Sequence, residues 1–141
     1  MKERALLASL VMLGLTCTSI SPPMAETPID WGVVSSERVP VIVTQDPDGS
    51  ERVTKLWLVV VDGQGLIRTG GTRWFRNIQR DPNMMLRIGG YAYPLRVELV
   101  ADESLRERAH AAFREKYGWQ DRLVHPFGKL DPNVMQLTPR K

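Results

Sequence analysis

From Val39 onward the chain alternates short β-branched runs with clusters of turn residues, the pattern of an antiparallel β protein. Val39-Pro40-Val41-Ile42-Val43-Thr44 predicts a first strand, with Pro40 tolerable near its start or on an edge. Asp46-Pro47-Asp48-Gly49 follows as a turn in which proline presets φ and glycine supplies positive φ. Val53 to Val61 predicts a second strand, apolar without a break from Leu56 and therefore buried on both faces. After the turn Asp62-Gly63-Gln64-Gly65, Leu66-Ile67-Arg68-Thr69 makes a third strand.

Gly70-Gly71-Thr72 then changes the period. Thr72 suits an N-cap, and Arg73 to Arg80 predicts a short helix stopped before Pro82. Met84 to Ile88 and Tyr91 to Val100 read as two more strands around Gly89-Gly90, with Pro94 expected at an edge or a bulge. Asp102 to Tyr117 predicts a long helix: Leu105, Ala109, Ala112, Phe113 and Lys116 form one stripe, and Gly118 sits where a C-terminal cap belongs. A loop carrying Trp119, His125 and Phe127 leads to a last strand, Val134 to Leu137. The expected order is βββ, short helix, ββ, long helix, β: six antiparallel strands, mainly β.

The first residues follow a different rule. Met1 to Arg4 is short and net positive, Ala5 to Cys17 is an apolar run of roughly 13 residues, and Ser21 to Ala25 is small and proline-bearing. This is the order of a secretory signal, and the run is too short to span a bilayer, which takes about 20 helical residues. The expected division is a signal peptide over 1–25, a polar extension over 26–38 anchored by Trp31, and a domain over 39–141, with no membrane-spanning segment after cleavage. The product is expected in the periplasm or outside the cell. The alternative is a lipid anchor on Cys17, but Gly14-Leu15-Thr16 lacks the usual aliphatic residue three places before it. Cleavage after Ala25 removes Lys2 and Arg4 against Glu3, which takes the net charge from +3 to +2, and it removes the only cysteine. The mature domain is then held together by its core, without disulfides.

The sequence pI is near 9.3, but acidic residues are interspersed and the net charge is small, so no nucleic-acid partner is expected. The two histidines do not form a metal-site spacing: His110 lies off its helix stripe and reads as a surface residue, and His125 precedes Pro126 in a loop. No nucleophile–base pattern and no phosphate loop ending in Gly-Lys-Ser/Thr is present. An enzyme built from this chain would rely on an organic cofactor. The stretch that suits one is Arg68-Thr69-Gly70-Gly71-Thr72-Arg73-Trp74. Two glycines permit close backbone approach, the helix start offers N–H groups and a positive dipole end, and Arg68, Arg73 and the hydroxyls of Thr69 and Thr72 complete a phosphate cradle. The same residues read equally well as a glycine turn feeding a capped helix, with Arg73, Arg76 and Arg80 on its solvated side.

Three stretches resemble the split-barrel superfamily of pyridoxamine 5′-phosphate oxidase-like flavoproteins. Val41 to Gly49 is similar to its first hairpin, Leu56 to Gly63 to its second strand and turn, and Thr72 to Pro82 to its helix, with Asn77-Ile78 and Asp81-Pro82 in the family positions. Val134 to Pro139 resembles the last strand of the deazaflavin-dependent nitroreductase and quinone-reductase branch. Flavin-binding members usually carry a lysine three residues before the helix asparagine; Trp74 stands there, as in the deazaflavin-type branch and related small proteins. The resemblance implies a six-stranded antiparallel split β-barrel. It implies flavin mononucleotide or a deazaflavin coenzyme as cofactor, with Thr69, Thr72 and Arg73 at or beside its phosphate and Trp57 and Trp74 walling the pocket. It also implies a homodimer with Trp57, Trp74 and Tyr93 near the seam. Two functions follow: an oxidoreductase passing hydride to a quinone- or nitro-like acceptor, or a non-catalytic exported module binding flavin, haem or another planar ligand. The start has no twin-arginine pair, so the chain is expected to cross the membrane unfolded and to meet its ligand outside.

Overall fold

The computed structural model describes residues 20–124 and 133–140. The hydrophobic run of the predicted signal, Cys17 and His125 lie outside them. Seven strands and four helices follow in chain order: α1 (Trp31–Val34), β1 (Val41–Gln45), β2 (Glu51–Lys55), β3 (Leu58–Val61), β4 (Gln64–Thr69), α2 (Arg73–Arg80), β5 (Asn83–Ile88), β6 (Tyr91–Leu99), α3 (Glu103–Tyr117), α4 (Trp119–Val124) and β7 (Asn133–Pro139). The turns form as the residue types dictate. Asp62 (φ 52°) and Gly63 (φ 71°) make the left-handed pair of a two-residue hairpin between β3 and β4.

The strands form one antiparallel sheet in the order β2-β1-β5-β6-β7-β4-β3, curled into a half-barrel. The expected count of six becomes seven because the predicted strand Val53–Val61 is two. β2 pairs with β1, and β3 pairs with β4 at the other end of the sheet. Leu56 and Trp57 carry the chain from one end to the other, with the Leu56 N–H bonded to the Pro40 carbonyl at 3.1 Å. The alternation of side chains survives the crossing: Leu56, Leu58 and Val60 face the barrel interior, while Trp57, Val59 and Val61 face α3. Burial on both faces is therefore what the unbroken apolar run encodes.

Two apolar layers result. Inside the barrel, Ile42, Leu58, Ile67, Leu86, Leu95 and Met135 pack with Trp74, Phe75 and Ile78 of α2. Outside it, Ala109, Phe113 and Tyr117 of α3 cover Val59, Leu66 and Val134. The predicted stripe of α3 holds, Asp102 caps the helix by accepting from the Ser104 N–H (2.9 Å), and Gly118 ends it at φ 52°. Pro94 lies in an interior strand at the end of the β6–β7 pairing: its carbonyl accepts from the Arg140 N–H at 3.3 Å, and its missing N–H falls where β7 ends.

The N-terminal extension packs on the barrel rather than trailing from it. Asp30 caps α1 through the Gly32 and Val33 N–H groups (2.8 and 3.3 Å), and Val34 enters the interior layer. The Trp31 ring lies on Gly65, where an added Cβ would come within 2.2 Å of it. Upstream, Ala92 of β6 donates to the Pro23 carbonyl and accepts from the Ala25 N–H, each at 2.9 Å.

Candidate functional site

The turn from β4 into α2 is the site's frame. Thr72 occupies the N-cap with extended backbone, but its hydroxyl makes no capping bond; it lies 3.0 Å from the Thr69 hydroxyl instead. No acidic residue sits in the first turn of α2, so the positive end of this helix is uncompensated by its own side chains. Gly71 is exposed, and a Cβ built on it would meet nothing within 4 Å. The Gly70 carbonyl accepts from the Thr72 N–H at 3.1 Å. Arg73 is exposed beside this turn, and Arg76 reaches back to the Gly71 carbonyl at 3.4 Å.

Beyond Arg73 an open cleft of about 540 Å³ runs along α2, lined by Asp46, Pro47, Asp48, Arg73, Arg76, Asn77 and Arg80. Asn77 is buried, and its amide donates to Thr44 Oγ1 (3.1 Å) and Asp46 Oδ1 (2.7 Å). Arg52 closes on the same carboxylate with Nε–Oδ1 and NH2–Oδ2 contacts of 2.8 and 2.5 Å. These donors hold the Asp46 pKa at about 2. Arg80 also donates to the Gln45 carbonyl. The arrangement ties α2 to the β1–β2 turn and leaves Arg73 and Arg76 facing a cleft that can take an anion.

The predicted site residues separate into two groups by strand alternation. Thr69, two places from the inward-facing Ile67, meets Thr72 at the helix start, where Gly70, Gly71 and Arg73 also lie. Trp74 does not cross this start: it is 7% exposed and packs in the barrel interior. Arg68 points the other way. It ion-pairs with Asp121 of α4, approaches His110 Nδ1 at 3.3 Å and lies 4.2 Å over the Phe113 ring. Trp57 is on that side too, stacked on Tyr117 with centroids 4.5 Å apart. His110, expected on the surface, is half-buried beside Arg68 instead, because α3 turns that edge toward the sheet. Asp46 and Asn77 were not among the predicted site residues. A buried amide among Trp74, Phe75 and Ile78 on the inner face of α2 is the signal that finds them. Among the described residues no group of three or more His, Cys, Asp and Glu is placed to hold a metal ion.

Solved structures that share this fold are split-barrel proteins of the pyridoxamine 5′-phosphate oxidase type. One is an F420-H2-dependent reductase, FDR-A, 16% identical over 72% of this chain and 94% of its own, with a TM-score of 0.58. Another is HutZ, the heme storage protein from Vibrio cholerae, 15% identical over 75% of this chain and 84% of its own, at 0.59. A third is an FAD-binding protein from Mesorhizobium loti, 12% identical over 78% and 86%, at 0.56. These identities establish a common fold. No curated protein sequence matches the chain. Residues 33–135 match the model of a family described as an uncharacterized protein conserved in bacteria, DUF2255, and the chain belongs to that family.

Proposed function

We propose that this chain is an exported split-barrel protein that binds a flavin or deazaflavin by its phosphate at Thr69–Arg73 and acts as an oxidoreductase. The observation that carries this reading is the start of α2: a helix end without a side-chain cap, beside an open Gly71, a pair of threonine hydroxyls and the exposed Arg73. Backbone N–H groups and the dipole of such an end suit a phosphate, and an arginine adds charge-assisted bonds. The residues present fit the group. Thr72 and Arg73 would hold the phosphate, Gly71 would permit its approach, and Arg76 would extend the positive field along the cleft. When bound, a reduced flavin or deazaflavin supplies hydride chemistry to a quinone- or nitro-like acceptor. Two copies of the chain form the working unit in this reading, as the family resemblance implies.

A second reading, a non-catalytic binding module for haem or another planar ligand, has its own support in the fold shared with a heme storage protein. Export favours it, because an exported reductase needs an electron source outside the cytoplasm. One experiment separates the two. The protein is purified from the periplasm, its visible absorption recorded, and flavin mononucleotide, the deazaflavin coenzyme and haem titrated in turn. Binding of a flavin or deazaflavin, weakened roughly 10- to 100-fold by a Thr72→Ala/Arg73→Ala double variant, is the expected result. Binding of haem alone, or affinity indifferent to the double variant, sinks the phosphate cradle. Both substitutions are at exposed positions, so the variant should keep its melting temperature within a few degrees.

A further inference from the structure

A second cavity, of about 340 Å³, lies between the N-terminal extension and the β5–β6 hairpin, and shares no lining residue with the cleft along α2. Its walls follow from strand alternation. Tyr91 and Tyr93, two apart on β6, rise from one face of the hairpin. Ile88 is in register with Tyr91 across the Gly89-Gly90 turn. The opposite wall is α1 and the chain before it, including Val33, which is 70% exposed. The charged residues in the lining are Asp30 and Glu37, and no lysine or arginine is among the residues lining it. Asp30 uses a single carboxylate oxygen, Oδ1, to cap α1. Lys116, which donates to the Glu37 carbonyl at 2.5 Å, does not line the cavity.

Two tyrosines, an aliphatic wall and carboxylates of one sign make a chemically specific combination. An anion is repelled by it, and a neutral apolar molecule gains nothing from the carboxylates, of which Glu37 also attracts the Lys116 ammonium outside the cavity and Asp30 caps α1. A cation joined to an apolar body satisfies every part: the carboxylates offset its charge, the electron-rich ring faces attract it, and the aliphatic wall takes the body. The volume lies at the lower end of the range for small-molecule sites, which suits a ligand of modest size. We infer that this cavity binds a small organic cation of ammonium type carrying an apolar or aromatic group. It is a ligand class opposite in charge to the one the α2 cleft suits.

The test titrates the protein, expressed from the full-length chain, with three probes of similar body and different charge: benzyltrimethylammonium, benzyl alcohol and benzoate. Tyrosine and tryptophan fluorescence and calorimetry report binding. The expected order has benzyltrimethylammonium at least tenfold tighter than benzyl alcohol, with benzoate not bound. Glu37→Gln and Tyr91→Leu, both at exposed positions, are each expected to weaken the cation several-fold without loss of the folded circular dichroism spectrum. Thr72→Ala/Arg73→Ala is expected to leave it unchanged. Equal binding of all three probes would reduce the cavity to an apolar groove and overturn the proposal. Binding of none of them, or cation affinity indifferent to both Glu37→Gln and Tyr91→Leu, would overturn it as well.

Discussion

Thr72 and Asp46 decide the character of the α2 corner one side chain at a time. Thr72 stands at a cap position but bonds to Thr69, which leaves the helix end for another partner. Asp46 does the reverse and spends its charge within the fold, on Arg52 and Asn77. This difference has a pH signature. Asp46 titrates near 2 in the folded protein against 3.8 as a free side chain, so its contribution to stability is complete above about pH 4 and fades as pH falls toward 2. Urea midpoints measured between pH 2 and 5 should fall on acidification, and Asp46→Asn should flatten that part of the profile. An unchanged profile in Asp46→Asn would mean that other carboxylates carry the acid sensitivity. The cap position of Thr72 was legible in the sequence because threonine before an apolar–basic run is a local signal. The side to which Arg68 turns was not. Its direction depends on strand register, and a one-residue shift sends a side chain to the other face.

Among elements, α2 has its predicted bounds, Arg73 to Arg80, because the extended backbone at Thr72, an inward-facing apolar set and a proline stop all agree. α1 and α4 were missed, since four and six residues are too few to display a helical period. α4 carries a buried ion pair, Arg68–Asp121, with side chains 2% and 5% exposed. Removing one partner of such a pair leaves a charge in apolar surroundings and costs about 3–5 kcal/mol. Asp121→Ala should therefore lower the unfolding free energy by about 3 kcal/mol in urea titration. An Arg68→Met/Asp121→Leu double variant should recover a large part of that loss. If both variants are equally unstable, the pair matters for its shape rather than for its charge. The predicted second strand failed for another reason: the same apolar run serves a single buried strand and two strands joined by a crossing, and the choice is made by distant pairing partners.

Over the whole molecule, the distance between those partners along the chain becomes a rate. β4 pairs with β7 from Thr69–Asn133 to Gly65–Leu137, and β1 pairs with β5 across the intervening hairpin and helix. Contacts so far apart require closing long loops before any pairing energy is gained. Refolding from urea, followed by stopped-flow fluorescence, should show its main phase in milliseconds to seconds; a main phase in microseconds would contradict this topology. The general character of the fold, antiparallel and mostly strand, was readable because alternation and turn chemistry are local. The curling of the sheet into a split barrel came from the family resemblance rather than from local pattern, because it depends on where the crossing at Leu56–Trp57 delivers β3.

That crossing also governs how the protein meets its own kind. An open sheet has two edge strands whose unpaired backbone groups invite a foreign strand, and such edges are a common route to aggregation. Here the two edges, β2 and β3, are neighbours in sequence, joined by Leu56 and Trp57 alone. Displacing one edge strand therefore pulls on the other through that short tether, whose residues are packed in both apolar layers. The half-barrel thus ties its two open sides together with a single length of chain, and loosening either side strains both.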